Sequence, residues 1–154
     1  MDIQIDSREK AKAIQKIIQT FDQRGINWFV SKLPVGDYIS LDNARLSIDR
    51  KQNLLELCGN VTQQQKRFIA ELERAEQMGI RLIILVEHGG GIETLEDVMY
   101  WRNPRLKESP LAVSGERLYR KLSAIGKAHN VQFEFCTKAQ TGSRIIELLG
   151  GDAG

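Results

Sequence analysis

The chain has 154 residues and a formal net charge of +2, enough length for one domain with a sizeable core and too little charge to name a polyanion partner by itself. Any nucleic-acid surface must come from local clustering of cations. Cys58, Cys136, His88 and His129 are all isolated. A metal site built on Cys and His is therefore not expected, and the cysteines read as reduced, buried thiols of a cytoplasmic protein. The start of the chain carries Asp2 and Asp6 and no apolar run, so no signal peptide is expected, and no stretch approaches membrane-spanning length.

In chain order, Asp2–Asp6 alternates Ile3 and Ile5 and reads as a short strand. Ser7 is placed to cap a helix from Lys10 onward, with Ala13, Ile14, Ile17, Ile18 and Phe21 at helical spacing and Gly25 as its stop. Ile26–Leu33 is a strand closed by Pro34. Val35–Leu41 and Arg45–Lys51 pair as a hairpin around Asp42-Asn43. Leu54, Leu55 and Leu57 form a short helical turn; Thr62-Gln63-Gln64-Gln65 then fits a capping box for a helix that ends at Gly79. The unbroken apolar run within Arg81–Glu87 is typical of a central strand covered on both faces. A short helix over Thr94–Trp101 precedes Arg102–Val113, which has two prolines and no period and reads as a mobile loop. Ser114 caps the next helix, Val131–Cys136 is the last strand, and Thr141–Leu149 the final helix. Strands and helices alternate, giving an α/β class with a mixed central sheet flanked by helices. Residues 1–150 are expected to form one domain and 151–154 a frayed tail.

Chemistry concentrates in two runs, Val35-Gly36-Asp37-Tyr38 and Ser47-Ile48-Asp49-Arg50-Lys51. Along a strand, Ser47, Asp49 and Lys51 face one way and Leu46, Ile48 and Arg50 the other, and hairpin pairing brings Asp37 near Asp49 and Lys51. Two carboxylates and an ammonium on one edge can hold a divalent metal and stabilise negative charge at a phosphodiester. Charged residues on a strand are otherwise just a solvated face. The acids of Ile5-Asp6-Ser7-Arg8-Glu9 tip the reading toward a site. Arg67 is a candidate phosphate contact, and Tyr100–Lys107, with Arg102, Arg105 and Lys107, mixes aromatics with cations as single-strand or junction contacts do. His88-Gly89-Gly90-Gly91 has no Gly-x-Ser-x-Gly elbow to make an esterase, and no Walker loop supports a small-nucleotide phosphoesterase.

Those motifs, in that order, resemble the nuclease domain of the xeroderma pigmentosum group F (XPF) family, which includes archaeal Hef and belongs to the PD-(D/E)XK superfamily. The family pattern is Gly-Asp, then Glu-Arg-Lys, then an acid after three more residues. Here the Glu is Asp49, and Glu56 lies one residue further on than the usual acid. The resemblance implies a restriction-endonuclease-like fold. Asp37 and Asp49 would be ligands of Mg²⁺ or Mn²⁺ and Lys51 would stand beside the scissile phosphate. Asp6 and Glu9 would be outer acids of the catalytic set. Arg8 would pair with those acids or touch DNA; Arg50 would brace the site through an ion pair or join Arg67, Arg102, Arg105 and Lys107 in contacting DNA.

The activity so implied is a metal-dependent, structure-selective DNA endonuclease acting on branched or flapped DNA, nucleoid-associated if cellular. The rival is a non-catalytic DNA-binding or scaffolding subunit. The resemblance also implies a homodimer, for which Leu118/Leu122/Ile125 and Ile145/Leu148/Leu149 are candidate surfaces. No tandem helix-hairpin-helix module is read in the chain, so a separate protein is a candidate source of that DNA grip.

Overall fold

The computed structural model describes residues 1–150, and the expected frayed tail at 151–154 lies outside the described residues. The strand buried on both faces is β5 (Arg81–Glu87). Leu82, Ile84 and Val86 enter one apolar layer and Ile83 and Leu85 the other, which is why this strand reads as an unbroken apolar run rather than an alternating one. β5 lies parallel to β4 (Asn43–Lys51) on one side and to β6 (Gln132–Cys136) on the other. Beyond β4 come β3 (Tyr38–Ser40), β1 (Asp2–Ile5) and β2 (Asn27–Val30), in the order β2-β1-β3-β4-β5-β6. β3 is antiparallel to both neighbours and β1 parallel to β2, so the sheet is mixed, as expected.

Helices cover both faces. α1 (Gln15–Gln23) and α5 (Thr141–Leu148) bury Ile17, Phe21, Ile145 and Ile146 against Ile3, Ile5 and Ile48. On the other face, α2 (Leu54–Val61), α3 (Gln65–Gln77) and α4 (Gly115–His129) bury Leu57, Phe68, Leu72, Leu118 and Leu122 against Ile84, Val86 and Phe135. Each fully buried Leu, Ile or Phe contributes about 1.5–3 kcal/mol. Leu118, Leu122, Ile125, Ile145 and Leu149 are all buried and Leu148 is packed against the core. The helix faces considered for dimerisation are thus occupied within the chain.

Several local readings shift. Ser7 does not cap α1: residues 7–14 run as turns closed by bonds such as Ala13 N–H to Lys10 O (2.9 Å), and regular helix begins at Gln15. Thr62 does not open α3 either. Its hydroxyl donates back to the Cys58 carbonyl (2.6 Å) and closes α2, a competing local bond that Thr makes readily. Ser114 caps α4 as read, accepting the Arg117 amide at 3.2 Å. In 102–113 a 3₁₀ turn forms over Pro104–Lys107, and buried Asn103 ties the segment down by donating to Val113 O and accepting from Arg105 N, both at 3.0 Å.

Candidate active site

The site is built on the β3–β4 hairpin. Gly36 has φ +74°, and a Cβ there would lie 2.0 Å from Ser47 Oγ, so only glycine lets the chain pass this close to β4. Ser47 in turn donates to Val35 O (2.9 Å), locking the approach. The next residue, Asp37, is fixed by three bonds: its amide donates to Ile48 O (2.7 Å), its carbonyl accepts from the Asp6 amide (2.8 Å), and its Oδ2 accepts from the Arg50 amide (2.8 Å). Asp37 is thereby held against β4 beside Asp49, the pair that the sequence placed together.

On the α2–α3 side of β4, Asp49 is only 6% exposed and Lys51 only 9%. Lys51 Nζ stands 3.2 Å from Asp49 Oδ2 and 5.9 Å from the centroid of the Phe68 ring. Despite that ion pair, Asp49 Oδ2 is buried without a geometrically sound hydrogen bond. Burial first, then Asp49, by its charge and by sharing the proton of Asp37, and lastly the charge of Glu9 push the Asp37 carboxyl up to about 9. Burial works against the Lys51 charge, yet Asp49 chiefly, with Glu56 and Glu71, holds the ammonium above its ordinary range. Two acids and one cation are thus crowded where water is scarce, and the acids repel each other.

The opposite face of β4 is organised differently. Arg50 is buried, and its guanidinium donates to Glu9 (Nε to Oε2, 2.7 Å; Nη2 to Oε1, 3.2 Å) and to Glu87 Oε1 at the end of β5. Tyr38 OH also donates to Glu9 Oε2 (2.7 Å), and Thr141 Oγ1, at the start of α5, donates to Glu87 Oε2 (2.7 Å). Burial opposes the Arg50 charge most strongly, and the bonds and charges of Glu9 and Glu87 outweigh it, holding the guanidinium well above its usual range.

The remaining candidates fall into distinct places. Asp6 is fully buried with both oxygens engaged, Oδ1 by the Leu33 amide (2.8 Å) and Oδ2 by Arg8 Nε (2.6 Å). Burial alone would raise its carboxyl, and the Arg8 and Leu33 bonds together bring it below the usual range. Arg8 is exposed and near enough to Asp37 and Glu71 to feel both charges. Glu9 pairs with Arg50, and its charge also reaches Asp37. Glu56 caps α2 instead: its amide donates to Asn53 Oδ1 and its Oε2 accepts the Gln52 amide, both at 2.8 Å.

Arg67 is exposed on α3 and lines a cleft of about 240 Å³ with Lys51, Asn60, Gln64, Phe68 and Glu71. Arg105 lines a separate groove of about 390 Å³ beside Cys58 on α2, and exposed Arg102 and Lys107 border a third depression. The structure brings none of these three loop cations to the carboxylates. Both cysteines are free and buried.

Glu71 was not legible as a site residue in the sequence. An acid on an amphipathic helix reads as solvated surface, and the one available signal was its spacing: positions 64, 67, 68 and 71 share a helix face. That face forms the far wall of the Lys51 cleft.

The donor set suits a hard cation. Among the described residues no group of three His, Cys, Asp or Glu side chains stands close enough to enclose an ion. Mg²⁺ needs no such cage, since it retains waters and takes one or two carboxylates plus phosphate oxygens. Two crowded carboxyls served by one ammonium, with Asp49 Oδ2 buried and short of a sound hydrogen bond, are an arrangement a cation would relieve.

A mixed six-stranded sheet flanked by helices, with this hairpin at its centre, matches the fold of the XPF nuclease domain. The ERCC4 domain matches residues 5–149, and the chain belongs to that family, whose members are typically nucleases. Among solved structures it is similar to XPF from Aeropyrum pernix, with a TM-score of 0.68 and 18% identity over 97% of this chain and 63% of that one. It is equally similar to the same protein in a complex with DNA, with a TM-score of 0.67 and 17% identity over 96% of this chain and 62% of that one. The chain thus spans less than two thirds of the length of those proteins. No curated protein matches it in sequence. No described helix is long and apolar enough to cross a membrane.

Proposed function

We propose that this domain is a divalent-metal-dependent endonuclease that hydrolyses phosphodiester bonds in branched or flapped DNA. The observation that carries the reading is Asp49 Oδ2, a buried carboxylate oxygen with no hydrogen bond, 3.2 Å from a buried ammonium and opposite a second acid. A buried charge left so is costly unless a ligand completes it. Asp37 and Asp49 would hold Mg²⁺ or Mn²⁺. The ion, when bound, supplies Lewis acidity at a phosphate oxygen and acidifies a water.

The chain's own side chains do the rest. Lys51, kept protonated by Asp49, presents positive charge where the phosphate gains negative charge. Phe68 packs under the Lys51 ammonium and keeps bulk water from that side. Arg67, on the cleft rim, is placed to take a flanking phosphate, and Arg8 to take one near Asp37. Arg50 braces β4, which carries Asp49 and bonds Asp37 through the Arg50 amide, rather than reaching for DNA. Arg102, Arg105 and Lys107, away from the acids, are assigned to an outlying arm of the substrate. DNA as substrate is supported by the fold shared with A. pernix XPF, itself seen in a complex with DNA. A second copy of the chain is proposed as partner, joined through a surface other than the buried faces of α4 and α5.

The test is cleavage of labelled flap, fork, four-way junction and linear DNA in Mg²⁺, in Mn²⁺ and in chelator, with Asp49→Asn and Lys51→Ala beside the wild type. Metal-dependent cutting of branched forms, lost in both variants, is expected. Tight binding to branched DNA without cutting in either metal would establish the scaffold reading instead.

A further inference from the structure

Glu71 is half-buried on α3 and makes no hydrogen bond or ion pair within the described residues, although it lines the same cleft as Lys51 and Arg67. Its neighbours on that helix face are engaged: Phe68 lies under the Lys51 ammonium, and Gln64 accepts from Asn60 at 3.0 Å. Glu71 thus faces a polar cleft with its carboxylate uncommitted among the described residues. The second observation is independent of it. Behind Lys51, which lines the cleft, Asp49 is more than nine-tenths buried, its Oδ2 has no hydrogen bond, and its charge reaches Glu71. Glu71 on α3 and Asp49 on β4 thus stand on either side of Lys51, each close enough to act on its charge.

We propose that Glu71 is a further acid of the metal site, outside the sequence motif, which holds the hydrated side of an ion carried by Asp37 and Asp49 through its bound waters. The inference rests on the nuclease reading and deepens it. Direct ligation is not required: the three acids do not form a closed cage, and an octahedral ion that keeps several waters offers their hydrogens to a carboxylate one water away. The electrostatics agree. Burial and then the charge of Asp49 raise the Glu71 carboxyl, while Lys51, Arg74 and Arg8 lower it, so the group senses both walls of the site. The placement of Arg8 near Asp37 and Glu71 closes the ring of charge around the cleft.

The test is a calorimetric titration of Mn²⁺ into wild type, Glu71→Gln, Glu71→Asp and Glu73→Gln, with thermal unfolding in chelator and DNA cleavage measured on the same samples. Glu73 lies on a different face of α3, lining a depression with Lys66 and Ile69, and serves as the control. Glu71→Gln is expected to weaken Mn²⁺ about tenfold, within the range for residues that hold a metal through its waters. Glu71→Asp should recover part of that affinity, and Glu73→Gln should match the wild type. Wild-type affinity in Glu71→Gln, from a protein whose wild type cuts DNA, overturns the role of Glu71 and leaves the nuclease reading standing. Equal losses in Glu71→Gln and Glu73→Gln also overturn it, since a general change in surface charge would then account for both. A wild type that neither takes up Mn²⁺ nor cuts DNA overturns both readings.

Discussion

On one face of β4, Arg50 forks to Glu9 and Glu87, and the hydroxyls of Tyr38 and Thr141 supply further donors to the same two acids. On the other, Lys51 pairs with Asp49 alone, Asp37 makes no ion pair among the described residues, and one Asp49 oxygen is left without a hydrogen bond. Each face carries two acids and one cation, so formal charge does not separate them. What separates them is pairing. A guanidinium presents a rigid fork that serves two carboxylates at once, whereas an ammonium is a point charge. The completed set holds β1, β3, β4, β5 and α5 in place; the incomplete one keeps its attraction for an outside cation. Three consecutive residues, Asp49, Arg50 and Lys51, divide between these regimes because strand side chains alternate.

The largest expected effects come from exchanging one regime for the other. Asp49→Asn should lower metal-dependent cleavage on the order of 10³-fold, as removal of a group that organises charge at a reacting phosphate does. In chelator the lost partner of Lys51 and the relief of the Asp37–Asp49 crowding oppose each other, so its melting temperature should change little; a large fall would mean that Asp49 is structural. Arg50→Met should do the reverse. It strands two buried carboxylates and is expected to cost about 3–5 kcal/mol in urea unfolding. A loss under about 1 kcal/mol would show that the Arg50 network does not brace the fold. Smaller again is Thr141→Val, which removes one donor from Glu87 Oε2 and should cost about 1–3 kcal/mol, with Thr141→Ser restoring it.

This division was partly legible in the sequence. Alternation alone puts Arg50 opposite Asp49 and Lys51, and β5 falls on its expected bounds because an apolar run between Gly79 and Gly89 has no competing reading. Turn-dependent features were less legible. Ser7 and Thr62 have good capping chemistry, but the segment after Asp6 is drawn in by Leu33, Arg50 and Tyr38, contacts 25 to 41 residues distant, and Thr62 finds Cys58 instead. Tertiary bonds override local propensity there. Nor does any pattern join Glu9 to Glu87, since their link through Arg50 exists only once β4 lies beside β5. Glu71 is obscured for the same reason: only the packing of α3 over Lys51 turns a surface acid into one wall of a cleft.

The smallest effect sharpens the comparison by titration. Without metal, Asp37 in the fold keeps its proton up to about 9, while an unfolded aspartate releases it near about 4. Between those values the native state holds a proton that the unfolded chain has lost, so stability should fall as pH rises, by at most about 1.4 kcal/mol per unit for this one group. A Mg²⁺ ion held by Asp37 and Asp49 would displace that proton. In saturating Mg²⁺ the Asp37 contribution to the slope should therefore vanish, and Mg²⁺ affinity should itself tighten with pH. Urea midpoints at pH 6, 7 and 8 in chelator and in Mg²⁺ give the contrast directly, because groups remote from the ion contribute equally to both series. Parallel slopes would mean that Asp37 is already ionised in the metal-free fold. The incomplete face of β4 would then carry its charge without an ion, as the Arg50 face does.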